Sequence, residues 1–155
     1  MIIDTSYFTK GRRAIYNATS LGLEETKPNS VAVNKLITDF IEQYSPVFLN
    51  RALGGELAKK MLADDGGDED TVSVFDALKE AWADYIMFHI LRYSGQRSTV
   101  DGVVELKSAN TIISPAVYQA NVWNDMVDQL RVFCVKFPLI RVDQCFLQKI
   151  SSCWV

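Results

Sequence analysis

Histidine is almost absent from this chain, and its scarcity removes most familiar catalytic schemes. His89 is the single histidine among 155 residues, so any Ser–His–Asp or Cys–His arrangement rests on it alone. A phosphate-binding glycine loop, a nucleophile elbow, HExxH and CxxC are all missing. Cysteine is sparse too. Cys134, Cys145 and Cys153 fall in the last quarter, too widely spaced for a zinc knuckle and odd in number. They read as buried structural thiols in a reducing compartment. No apolar run approaches the roughly 20 residues needed to span a bilayer, and MIIDTSYFTKGRR lacks the pattern of a secretory leader. A surplus of basic charge is lacking as well. The net charge of −3 gives no general pull toward nucleic acid or anionic membrane. The expectation is a protein that is not an enzyme and carries no cofactor and no metal.

What is present is apolar periodicity. With 48% hydrophobic and 23% charged residues, the chain has the composition of one globular domain with a genuine core. Residues 1–28 are poorly periodic and predict an extended arm, with a short helix near Thr9 to Asn17. Within it Lys10, Arg12 and Arg13 form a small basic cluster, read either as a solvated arm or as a contact for phosphate or an acidic neighbour. Asn29 and Ser30 are good N-caps for a helix whose stripe is Val33, Leu36, Ile37, Phe40, Ile41 and Tyr44. Ser45-Pro46 predicts a restart, since proline suits a first turn better than an interior. Phe48, Leu49 and Leu53 extend the apolar face, Gly54-Gly55 breaks it, and Leu57, Met61 and Leu62 mark a further short helix.

Asp64 to Asp70 reads as an acidic loop out of register with a calcium site. It is either simply solvated or a negative surface beside a DNA path. Ser73, with Asp76 three residues on, predicts the start of the next helix. Its stripe is Phe75, Leu78, Trp82, Tyr85, Ile86 and His89, and it ends at Gly95. His89 reads as a hydrogen-bonded core histidine rather than a catalytic one. Ser114-Pro115 starts a last long helix lined by Val117, Ala120, Trp123, Met126, Val127, Leu130, Phe133 and Cys134, and Pro138 ends it. Trp82, Tyr85, His89, Trp123 and Met126 are the predicted core anchors, with both tryptophans buried where the last two long helices pack. The apolar residues 138–155 predict a tail that docks on its own domain or on a neighbour.

Between the last two long helices the period changes toward two. Val100, Val103, Val104 and Leu106 alternate around Asp101-Gly102, a hairpin signal. A connector of about 20 residues is unusual in a compact domain unless it has its own task. Val100, Val103, Val104, Leu106 and Lys107 are therefore the candidate inter-subunit arm. The predicted fold is mainly α, a bundle of about four helices with a long β-hairpin-like excursion between the last two. It divides into an arm at 1–28, a helical domain at 29–137 whose excursion spans 96–113, and a docking tail at 138–155.

The order of these parts resembles the small head–tail connector (adaptor) proteins of tailed double-stranded DNA bacteriophages. The resemblance covers roughly Ile37 to Leu130. It is carried by Tyr44 through Leu53-Gly54, by Ala83-Asp84-Tyr85 with His89 and Arg92, by Lys107 through Asn110, and by Trp123-Asn124 with Met126-Val127. The first 28 residues and the tail from Pro138 fall outside it. The resemblance implies a structural virion protein, made in the host cytoplasm, that assembles with itself in a ring, usually twelvefold, below the portal protein. Such a ring extends the DNA channel without binding DNA specifically, has no membrane partner, and docks later neck or tail proteins. Two other readings stay open: another neck part, such as a head-completion or tail-terminator protein, and a cytosolic helical protein-binding module.

Overall fold

The computed structural model describes residues 3–19, 28–63, 69–94, 96–99, 102–105 and 115–151. Four α-helices dominate: α1 (Pro28–Leu53), α2 (Gly55–Ala63), α3 (Glu69–Ser94) and α4 (Pro115–Lys136). Between α3 and α4 lie two four-residue strands, β1 (Gln96–Thr99) and β2 (Gly102–Glu105). The protein is thus a mainly helical bundle.

The centre of the bundle is α3. From Ala81 to Met87 every residue is buried, because α1 covers one side, α4 another, and both chain ends close the remainder. A helix apolar on one stripe alone would leave part of its circumference in water; one covered all round must be read as core. Trp82 is buried against α1 rather than α4. Its indole stacks on Phe48 at 5.9 Å and its Nε1–H donates to Ser45 Oγ at 2.9 Å. Trp123 is only half-buried; it packs on Tyr85, Phe88 and Phe146 while its Nε1–H donates to the Gln148 carbonyl at 2.8 Å. The expectation that both indoles fill the α3–α4 contact is corrected accordingly. Tyr85 and Met126 are buried as core anchors, and His89 is partly buried.

Several boundaries differ from the sequence reading. Helix α1 starts at Pro28, so Asn29 and Ser30 lie in its first turn, and proline takes the position where its missing N–H costs nothing. The same helix runs through Pro46 without a restart. Pro46 itself is exposed, while Phe48, Leu49 and Ala52 on the inner face hold the next turns in the core. Burial outweighs the proline penalty of about 3 kcal/mol. Gly54, at φ +81°, ends α1 in the left-handed conformation, its N–H bonding the Asn50 carbonyl, and its own carbonyl accepts the first bond of α2 from Ala58. Helix α3 begins at Glu69, not Ser73. Glu69 and Asp70, assigned to the acidic loop, instead favour the positive end of that helix. Two stripe residues, Leu36 and Val117, prove exposed, whereas Val122, unassigned before, is buried.

The N-terminal segment is compact rather than extended. Two 3-10 turns, Thr5–Phe8 and Gly11–Arg13, bury Ile3, Thr5 and Phe8. Asn34 on α1 explains how the segment is clipped down: its Oδ1 accepts the Thr19 N–H and its Nδ2 donates to Thr19 Oγ1. The C-terminal segment folds back along α4, with Val142 and Phe146 buried and a 3-10 turn at Gln144–Leu147. Asn124 pairs reciprocally with the backbone of Ile150, and the Asp143 N–H bonds the Arg51 carbonyl. This tail docks on its own domain. Cys134 and Cys145 are free thiols, as expected, but less buried than expected, the first half-buried and the second exposed; Cys153 lies outside the described residues.

Candidate functional site

Three features stand apart from ordinary packing: a buried carboxylate, a buried imidazole and the hairpin. The carboxylate is Asp84, placed mid-helix in the wholly buried stretch of α3, with its side chain fully enclosed. Its Oδ2 accepts from Arg12 at 3.1 Å and from Gln129 Nε2 at 2.9 Å, and its Oδ1 accepts from Arg13 at 3.2 Å. Arg12 also pairs with Asp125 of α4, and Arg13 with Glu80 of α3. Burial pushes the Asp84 carboxyl above its ordinary value, against the opposing pull of Arg13 and Arg12 and the Gln129 hydrogen bond.

This cluster settles the role of two basic residues. Arg12 and Arg13 meet acidic neighbours, one of the readings offered for them, because a buried carboxylate must be paired and they supply the pairing. Lys10 lies exposed outside the cluster, and Arg12 is itself partly open to solvent within it. A groove of about 480 Å³ lies beside it, lined by Arg12, Tyr118, Asp125, Asp128 and Lys149 among others. Its charges are already spoken for: Arg12 pairs with Asp125, and Lys149 with Asp128 at 2.7 Å.

His89 lies in an aromatic box. Its ring stacks on Tyr44 with centroids 3.8 Å apart and meets Tyr85 and Phe88 edge-on. Nε2 is buried with no hydrogen-bond partner among the described residues, so at that nitrogen the expectation of a hydrogen-bonded core histidine is not met. Burial, with Arg92 and Arg51 nearby, lowers its pKa from 6.5 to about 4. No cluster of histidine, cysteine or carboxylate side chains that could hold a metal occurs among the described residues. The lowered value makes a signed prediction. The unfolded chain binds the proton more readily, so the His89 contribution to stability is complete above pH 6.5 and is lost as pH falls through about 4. The full shift corresponds to about 3 kcal/mol. His89→Phe should flatten the stability-versus-pH curve in that window relative to wild type, measured by urea melts at stepped pH. Parallel curves for the two proteins would refute the assignment.

The hairpin is the third feature. Gln96 pairs with Glu105, Arg97 with Val104, Ser98 with Val103 and Thr99 with Gly102, antiparallel. Among the described residues the sheet has these two strands only, and the principal packing of β1 beyond β2 is with the adjoining end of α3. Val103 and Val104 thus sit in β2. Val100, Leu106 and Lys107 lie outside the described residues, as do residues 106–113, so the longer excursion is not supported beyond this short ladder.

No described helix is long and apolar enough to cross a membrane. No protein-family model matches the chain, and neither curated proteins nor solved structures yield a match.

Proposed function

We propose that this chain is a structural ring subunit of a bacteriophage neck, seated below the portal protein and extending the DNA channel toward later neck or tail components. The observation that carries the reading is the hairpin. A two-stranded ribbon alone is marginal in water, and among the described residues the main packing of this one beyond its own two strands is with the end of α3. Its open edges are templates for a strand from another chain. The buried charge cluster supports the same reading by a different route, since it ties the N-terminal segment to α3 and α4 without creating a reactive group. With Arg12 and Arg13 committed internally, nothing in the reading calls for specific contacts to DNA, which a conduit has to let slide.

The register makes the test sharper. Thr99 and Gly102 flank a two-residue connection, so that pair exchanges both of its hydrogen bonds, and alternation makes Arg97–Val104 the next such pair. The N–H of Val104 therefore belongs to the ribbon's own ladder, while those of Val103 and Glu105 turn to the open edge. Val103→Pro is expected to abolish assembly with helix content intact, because proline is tolerated on an edge but cannot donate across it. Val104→Pro should damage the hairpin itself. Light scattering after size exclusion, with and without a cognate portal, reads the outcome. Normal assembly by Val103→Pro rules out strand addition at that edge. A wild-type chain that stays single, bound to no portal, favours the binding-module reading instead.

A further inference from the structure

We infer that the groove on α4 between the two end segments receives the residues that follow Ser151 in the same chain, Ser152 to Trp154. The C-terminal segment already runs antiparallel to α4 along one stripe of that helix. The Leu147 carbonyl accepts from Arg131, and Lys149 pairs with Asp128. At Ile150 the N–H donates to Asn124 Oδ1 and the carbonyl accepts from Asn124 Nδ2. Positions 131, 128 and 124 are spaced by three and four, which keeps their side chains on one helical face. Three steps of the segment, from Leu147 to Ile150, thus cover seven of α4. Seven helical residues rise about 10 Å, and three extended residues advance about the same distance. Gln148 has the extended backbone this match requires, at φ −90° and ψ 125°.

The same stripe continues to Asn121 and Val117, again at spacings of three and four. Asn121 is exposed and Val117 is 37% exposed. Asn121 lines the groove, together with the buried Val122, Arg12 of the N-terminal segment and Lys149 of the C-terminal one. At an unchanged pace the chain brings Cys153 beside Val117, about 10 Å beyond Ile150, and Trp154 to the first turn of α4. Chemistry agrees with position. The charges of the groove are already paired, Arg12 with Asp125 and Lys149 with Asp128, so a charged ligand would have to break a pair to bind. Ser152, Cys153 and Trp154 carry no charged side chain. Tryptophan offers a large apolar surface with one N–H donor, which suits an exposed valine next to polar groups. A tethered segment also reaches the groove without the loss of free translation that a separate chain incurs.

Disulfide trapping in the full chain tests the placement. With Cys134→Ser and Cys145→Ser, Cys153 is the sole native thiol left, and Val117→Cys supplies its partner at an exposed position. A disulfide forms only between α-carbons closer than about 7 Å. Oxidised glutathione should therefore close a bond within one chain, read by mass and by non-reducing electrophoresis. Glu42→Cys on α1, likewise exposed, should form none. Successive side chains of an extended segment point to opposite sides, so Ser152→Cys with Cys153→Ser covers the case in which Cys153 faces away. No bond from either position overturns the placement, as does one formed as readily to Glu42→Cys. A bond found only between chains also overturns it and gives the groove to the same residues of a second copy. Thiol labelling supplies an independent readout. In a chain without native cysteines, Trp154→Ala should speed the labelling of Val117→Cys several-fold, toward the rate at Glu42→Cys. An unchanged rate removes Trp154 from α4.

Discussion

Replacing Trp82 by alanine is expected to cost about 3–5 kcal/mol of stability, a large share of what a domain of this size possesses. The indole is buried between α1 and α3, stacked on Phe48, near Phe75 at 6.3 Å, and held by Ser45 Oγ. Its removal leaves a cavity at the contact beside Pro46, where α1 stays helical, and it strands the Ser45 hydroxyl. Trp123→Ala should cost less, because that ring is half-buried and what it loses is the clasp on the C-terminal segment at Gln148. Urea denaturation of the two variants ranks them directly. A loss below about 1 kcal/mol for Trp82→Ala would contradict its place in the core.

The second large effect should come from the charge cluster, and it should be asymmetric. Removing Arg12 and Arg13 together leaves the Asp84 carboxylate buried without a counter-charge, an arrangement that costs about 3–5 kcal/mol. Removing Asp84 is milder, since Arg12 still has Asp125, Arg13 still has Glu80, and both can reach water. Asp84→Leu introduced into the double arginine variant should recover much of the lost stability, because an apolar residue needs no partner there. Failure of that rescue would locate the loss in the packing of Phe8 and Ile3, not in charge. The raised carboxyl pKa fixes the pH sense of the same site. Its contribution is complete below the ordinary carboxylate value and declines as pH rises through the folded one, opposite in sign to that of His89.

Much of the fold was legible from spacing alone. The apolar stripes of α3 and α4, the break at Gly54-Gly55, the proline that opens α4 and the switch to period two after Gly95 all reflect local rules. Backbone geometry and the burial of one helical face impose those rules on any sequence. Where local rules compete with packing, packing prevailed. Pro46 reads as a restart, yet the chain stays helical because the residues around it are committed to the core. Ser73 reads as a cap, yet the helix starts a turn earlier on Glu69 and Asp70.

The sequence by itself determined a helical protein with a β-forming interruption and no recognisable catalytic constellation. The tertiary structure alone decided that Asp84 is buried, that Arg12 and Arg13 answer it, and that the N-terminal segment is a lock rather than an arm. The reason is separation along the chain. The arginines and the carboxylate lie about seventy residues apart, and at that distance no periodicity links them. Asp84 follows an apolar stripe closely enough to pass for a solvated residue until α4 and the N-terminal turns are laid over it. The exposure of Leu36 on α1 was hidden for the same reason. Leu36 reads as core from spacing, and only the position of α3 leaves it facing outward.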